Sequence, residues 1–240
     1  MQGTFYGIGV GPGDPDLLTM KAIKVIHEAD VIIAPKSEKK GDSTALTIAT
    51  PHLKPGAEVL HMVFPMVYQS EALTGAWAEN RRVLGELLDA GKNVAFLTLG
   101  DPMFYSTYIY VFLLLKDAGY PVKTVPGVPA FCAIASHVGY PLVEGDDVLS
   151  IVPATADEKT MEAIMKASNN VVLMKMSRNF DGIVDKLKEN GLAENAIMVT
   201  KCGLADEQIV TDVTGVAAED VNYLSTILTR RNLPCNHPHL

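Results

Sequence analysis

Three short stretches combine glycine and proline in a way that lets a backbone close around a small molecule. They are Gly7-Ile8-Gly9-Val10-Gly11-Pro12-Gly13-Asp14, Gly100-Asp101-Pro102 and Pro126-Gly127-Val128-Pro129-Ala130. Glycine permits close approach of the main chain, and proline fixes the turn. Each stretch follows an apolar, strand-like run and precedes a helix-like one. In an α/β sheet that junction is where strand ends open onto a ligand crevice. Three such junctions at one structural level predict a pocket lined largely by main chain.

Other chemistries lack their residues. A dinucleotide fingerprint needs a third glycine where Pro12 stands, and an acidic residue about 20 positions on to grip a ribose hydroxyl. The second strand instead ends Ile33-Ala34-Pro35-Lys36. The three cysteines, Cys132, Cys202 and Cys235, are far apart, odd in number and without CxxC spacing, so they read as structural thiols. The six histidines form no HExxH pair, and no metal site is expected. The net charge of −8 argues against a nucleic-acid partner, which draws on clustered Lys and Arg. The apolar runs are too short to span a membrane. Met1 leads straight into a strand-like segment, which predicts a cytoplasmic protein.

The elements that must hold these turns alternate. Strands are expected over 5–10, 30–34, 58–63 and 93–99, and helices over 17–29, 43–50, 71–89 and 107–118. The first helix has an apolar face of Leu18, Ala22, Val25, Ile26 and Ala29. Alternation of this kind builds a mostly parallel sheet covered by helices on both faces. A Pro- and Gly-rich stretch over 126–145 marks a domain boundary. The expected organisation is therefore an α/β domain over 1–128, a second over 129–231, and a flexible tail over 232–240. The second domain is given helices over 130–137, 157–167 and 180–190, and strands over 148–152, 170–175, 196–202, 208–213 and 223–228.

The three turns, in this order and spacing, resemble the motifs of the tetrapyrrole methylase family. The likeness runs from Tyr6-Gly7-Ile8-Gly9-Val10-Gly11-Pro12-Gly13-Asp14 through Thr98-Leu99-Gly100-Asp101-Pro102-Met103-Phe104-Tyr105-Ser106 to Val125-Pro126-Gly127-Val128-Pro129-Ala130, and it covers residues 3–229. The resemblance implies two α/β domains with a cofactor cleft between them, S-adenosylmethionine as cofactor, and a homodimer. It implies cofactor contacts from Pro12, Leu99, Gly100, Asp101, Phe104, Pro129 and Ala130, and from Met176 and Gly203 in the second domain. Backbone amides suit the cofactor carboxylate, and Asp101 suits its ammonium, unless that carboxylate merely caps its own turn.

Within the family, the segments over 35–43 and 79–108 resemble corrinoid C20 methyltransferases. That resemblance implies methylation of C20 of cobalt-factor II or precorrin-2 in cobalamin biosynthesis, with cobalt-factor II preferred. Such a tetrapyrrole is rich in carboxylates. Lys36 and Lys39 after the second strand, with Arg178 after a strand of the second domain, are the expected substrate contacts. The methyl donor arrives activated, so alignment carries most of the chemistry and no protein nucleophile is required. Tyr105 and Asp14 are the candidates for proton transfer; Tyr108 and His137 are weaker ones. Methylation of another corrin carbon stays open, as does a non-catalytic protein that binds S-adenosylmethionine or a tetrapyrrole.

Overall fold

A computed structural model describes residues 1–36, 43–64, 71–176 and 179–232. The chain divides into two compact units, Met1–Pro129 and Ala130–Leu240.

The first unit begins with β1 (Phe5–Gly9), α1 (Met20–Glu28), β2 (Val31–Lys36) and α2 (Thr44–Ala49). It continues with β3 (Glu58–Val63), α3 (Glu71–Asp89), β4 (Val94–Thr98), α4 (Tyr108–Asp117) and β5 (Val122–Val125). The strands form one parallel sheet in the order β3-β2-β4-β1-β5. Every residue of β4, Val-Ala-Phe-Leu-Thr, is buried, as expected for a central strand covered on both faces. The anticipated face of α1 is buried from Leu18 to Ala29. One side of the sheet packs Phe5, Phe96 and Tyr108 with Phe64, ring centroids 5.1–6.2 Å apart.

The second unit begins with α5 (Ala130–His137), β6 (Leu149–Pro153), α6 (Glu158–Ala167), β7 (Asn170–Met174) and α7 (Phe180–Glu189). It ends with β8 (Ile197–Thr200), β9 (Gln208–Val210) and β10 (Ser225–Arg230). Its sheet is mixed, in the order β6-β7-β10-β8-β9. Strand β10 runs antiparallel to both β7 and β8, so those two run parallel to each other. All six residues of β10 are buried, although three of them are polar and one is charged.

Local hydrogen bonding moved several element ends from their expected places. The first α-helix starts at Met20, because the Thr19 hydroxyl caps it by accepting from Ala22 N–H at 3.1 Å. Residues 15–17 form a separate 3-10 turn whose N-cap is Asp14. The last strand starts at Ser225, because Asn222 folds residues 222–225 into a turn through Leu224 N–H and Ser225 N–H. The strand expected over 208–213 stops at Val210, and Asp212 caps a short 3-10 turn after it. Strand β5 is the strand-like run expected before the third turn, for which no bounds were assigned: it is only four residues long and lies between Pro121 and Pro126.

Candidate active site

Strands β1, β4 and β5 are neighbours and parallel, so their C-terminal ends emerge at one edge of the first sheet. The register sets Gly9 opposite Thr98 and Ile8 opposite Val125. Beyond the sheet the first two turns pair with each other. Gly100 N–H donates to the Gly11 carbonyl at 2.8 Å, and Gly11 N–H donates to the Gly100 carbonyl at 3.3 Å. Both glycines are left-handed, φ 77° and 67°, where any side chain would strain the backbone.

The third turn is pressed onto this pair. A Cβ built on Gly9 would lie 2.5 Å from the nitrogen of Gly127 and 2.6 Å from the carbonyl oxygen of Gly100. One built on Gly127 would lie 2.1 Å from that same oxygen. Three backbones therefore meet where no side chain fits. The Asp101 carboxylate ties them together: Oδ1 accepts from Met103 N–H at 2.8 Å and Oδ2 accepts from Gly127 N–H at 3.0 Å.

Behind the edge a buried aromatic ring and three hydroxyls fix α4. The Tyr108 ring occupies the space a Gly7 side chain would need, 2.1 Å from an ideal Cβ. Its hydroxyl lies 2.8 Å from Thr124 Oγ1. Burial pushes the Tyr108 phenol above its usual range, against the opposing effect of the Thr124 hydrogen bond. Ser106 Oγ lies 2.7 Å from Thr98 Oγ1 and accepts from Tyr108 N–H at 3.1 Å, so β4 and α4 share one hydroxyl bridge.

The expected site residues of this unit fall around the edge in different settings. Pro12 is buried, and Leu99 and Pro129 are half-buried. Ala130, also expected in the site, is the first residue of the second unit and begins α5. Phe104 N–H donates to the Asp101 carbonyl at 3.3 Å, and its ring packs 4.7 Å from that of Tyr105. Tyr105 is left-handed at φ 50° and 41% exposed, an unusual backbone for an aromatic residue and one often found at functional sites. The Asp14 carboxylate accepts from Asp16 N–H at 2.8 Å, a local capping bond. Lys36 ends β2, next to β4, and so belongs to the same edge. Lys39 lies outside the described residues, as does Arg178.

The second unit has an edge of its own where β7 and β8, which flank β10, end on the same side of the sheet. Ile227 of β10 pairs with Leu173 on one side and Met198 on the other. Just past those strand ends, Lys175 and Lys201 are both left-handed, φ 59° and 55°. Met176 is buried in the core, and burial holds the Lys175 ammonium below its usual range. Gly203, also left-handed, donates its N–H to Glu207 Oε2 at 2.6 Å. Glu207 Oε1 pairs with His137 Nε2 at 2.8 Å. Burial alone would raise the Glu207 carboxyl, but the Gly203 N–H and His137 outweigh it and hold it below its ordinary range. His137 is thus engaged with Glu207, at the end of α5. No signal in the sequence singles out Glu207, because its partners are 4 and 70 positions away. No group of three metal-ligating side chains occurs among the described residues.

The sequence profile of the tetrapyrrole (corrin/porphyrin) methylases matches residues 4–217. A cobalamin biosynthesis protein CobIJ of Mycobacterium tuberculosis is 36% identical over 217 residues, 87% of this chain. The chain spans 42% of that relative's length. A cobalt-precorrin-2 C(20)-methyltransferase of Salmonella typhimurium is 35% identical over 234 residues, 96% of this chain and 98% of that one. Among solved structures, a cobalt precorrin-4 methyltransferase superposes with a TM-score of 0.73 at 27% identity, covering 95% of this chain and 94% of the other. The match takes in all three turns and residues of both units, and the chain belongs to the tetrapyrrole methylase family.

Proposed function

We propose that this chain transfers a methyl group from S-adenosylmethionine to C20 of a corrinoid precursor, cobalt-factor II or its metal-free counterpart precorrin-2, in cobalamin biosynthesis. The observation that carries the reading is the likeness to the Salmonella C20 enzyme over nearly the full length of both chains. That relative's name includes cobalt, which favours the cobalt-bearing substrate. The protein acts as a homodimer in this reading.

The edge of the first sheet fits the cofactor chemically. Its surface is main chain from three turns, and the glycines at positions 9, 100 and 127 leave no side chain between those backbones. The N–H groups of Gly11, Gly100 and Gly127 are bonded within the turns, which leaves the other main-chain groups of the turns for a carboxylate and an adenine. S-adenosylmethionine, when bound, supplies an activated sulfonium methyl. Pro12, Leu99, Gly100 and Pro129 are the residues of the first unit proposed to hold it; Ala130, Met176 and Gly203 are the cofactor contacts that the family resemblance implies for the second. Phe104 adds an aromatic wall. Lys36 and Lys39 receive substrate carboxylates, joined by Arg178. Methyl transfer to C20 leaves a proton to be removed from that carbon, and the oxygen of Tyr105, as its phenolate, takes that proton to become the phenol; Asp14 keeps the first turn in shape through its capping bond.

The test is anaerobic incubation of the protein with S-adenosylmethionine and, separately, cobalt-factor II and precorrin-2, followed by product mass and fragment analysis. Gain of one methyl at C20 of either substrate supports the reading, and the substrate used decides the metal. Methylation at another position, or none by a folded protein that binds the cofactor, overturns the C20 assignment.

A further inference from the structure

We infer that Asp101 is a positioning residue, whose carboxylate holds the third turn against the second and acts on a bound nucleoside through the backbone over 127–129. The inference rests on the S-adenosylmethionine reading and deepens it. It replaces the expectation that Asp101 pairs with the cofactor ammonium.

Three observations point this way. First, both carboxylate oxygens already accept backbone N–H groups, one local and one 26 positions along the chain. Hydrogen bonds from N–H groups to an ionised carboxylate are among the stronger ones proteins make. Second, Gly127 is the residue squeezed between Gly9 and Gly100, with no room for even a methyl group. A turn packed that closely has little freedom, and the Asp101 bond is the side-chain contact that fixes its nitrogen. Third, the residues after Gly127 run directly into α5, so the position of this turn sets where Pro129 and Ala130 lie.

The bonding pattern separates this role from its rivals. An asparagine at position 101 has one acceptor oxygen and one NH2 group, so one of the two N–H donors would face another donor. A serine keeps a short acceptor for the local Met103 N–H but cannot reach Gly127. Asp101→Asn loses one of the two bonds, whereas Asp101→Ser breaks the link between turns and spares the local turn. Should Asp101→Asn fail to fold, Asp101→Ser carries the test.

Two measurements decide it. Calorimetric binding is measured for S-adenosylhomocysteine and for 5′-methylthioadenosine, which lacks the amino-acid end and hence the ammonium. Amide hydrogen exchange at Gly127 is measured by NMR in the protein without nucleoside. The expected result for Asp101→Ser is a loss of about tenfold in affinity, equal for both nucleosides, together with faster Gly127 exchange. Loss confined to S-adenosylhomocysteine would make Asp101 an ammonium ligand and overturn the inference. So would unchanged Gly127 exchange, or unchanged affinity for both nucleosides. Failure of the underlying functional reading shows separately, as a parent protein that binds neither nucleoside, and that result overturns both.

Discussion

Gly127 and Tyr105 show how single residues serve the same edge by opposite means. Gly127 matters for what it lacks. Replacing it with alanine puts a methyl 2.1 Å from the Gly100 carbonyl oxygen, an atom of the backbone that cannot step aside. Overpacking of this kind costs about 1–3 kcal/mol. Urea unfolding of Gly127→Ala is expected to show a loss in that range, accompanied by weaker S-adenosylhomocysteine binding. Tyr105 matters for what it carries: an exposed phenol on a left-handed backbone just past the second turn. If it accepts the C20 proton, Tyr105→Phe lowers kcat by about 10²-fold and leaves cofactor affinity unchanged. Full turnover in that variant removes Tyr105 from the chemistry. The glycines were legible in the sequence because their spacing marks a turn. The Asp101–Gly127 bond was not, since it depends on two turns 26 positions apart meeting at one sheet edge.

At the scale of elements, the second unit relies on side chains that stop or join helices. Arg231 follows β10 and donates to the Asn190 carbonyl past the end of α7 and to the Met165 carbonyl in the last turn of α6, each at 2.6 Å. One guanidinium thereby satisfies carbonyls at two helix ends and places its charge where both helix dipoles favour a cation. Arg231→Met is expected to cost about 2–3 kcal/mol in denaturant unfolding. Glu207 links the turn after β8 to the end of α5 through Gly203 and His137. Its carboxyl is held below its ordinary range in the folded protein. A depressed carboxyl contributes stability that is present above its unfolded pKa and lost as pH falls through the folded one. Thermal melts between pH 6 and pH 3, values chosen to bracket roughly the ordinary carboxylate range, should therefore show an acid-side decline. Glu207→Gln is expected to make that decline shallower, and an unchanged slope would remove Glu207 as a contributor. Neither link was visible beforehand: Arg231 and Glu207 read as ordinary surface charges until the strands bring their partners to them.

At the scale of the whole molecule, the proposed homodimer has a direct check. A chain of 25.8 kDa should elute with light-scattering mass near twice that value. Helix α4 carries Tyr110 and Leu113 exposed, an apolar outer face on a helix that is apolar nearly all round. Leu113→Lys is a sensible probe of whether that face is covered in the dimer, and a monomeric mass for the parent protein overturns the assembly itself. No helix among the described residues is long and apolar enough to cross a membrane. The sequence by itself determined the α/β class, the parallel sheet of the first unit and the three turns, because strand and helix periodicity and glycine-proline chemistry are local properties. Helix α3 came out at its expected bounds for the same reason. Only the tertiary structure decided which turn backbones touch, why glycine is obligatory at positions 9 and 127, and that Asp101 spends both oxygens on amides. It also decided the mixed order of the second sheet and the burial of Arg230 in its central strand. Those features arise from contacts between residues far apart in the chain, and no local pattern encodes a pairing that only the folded sheet creates.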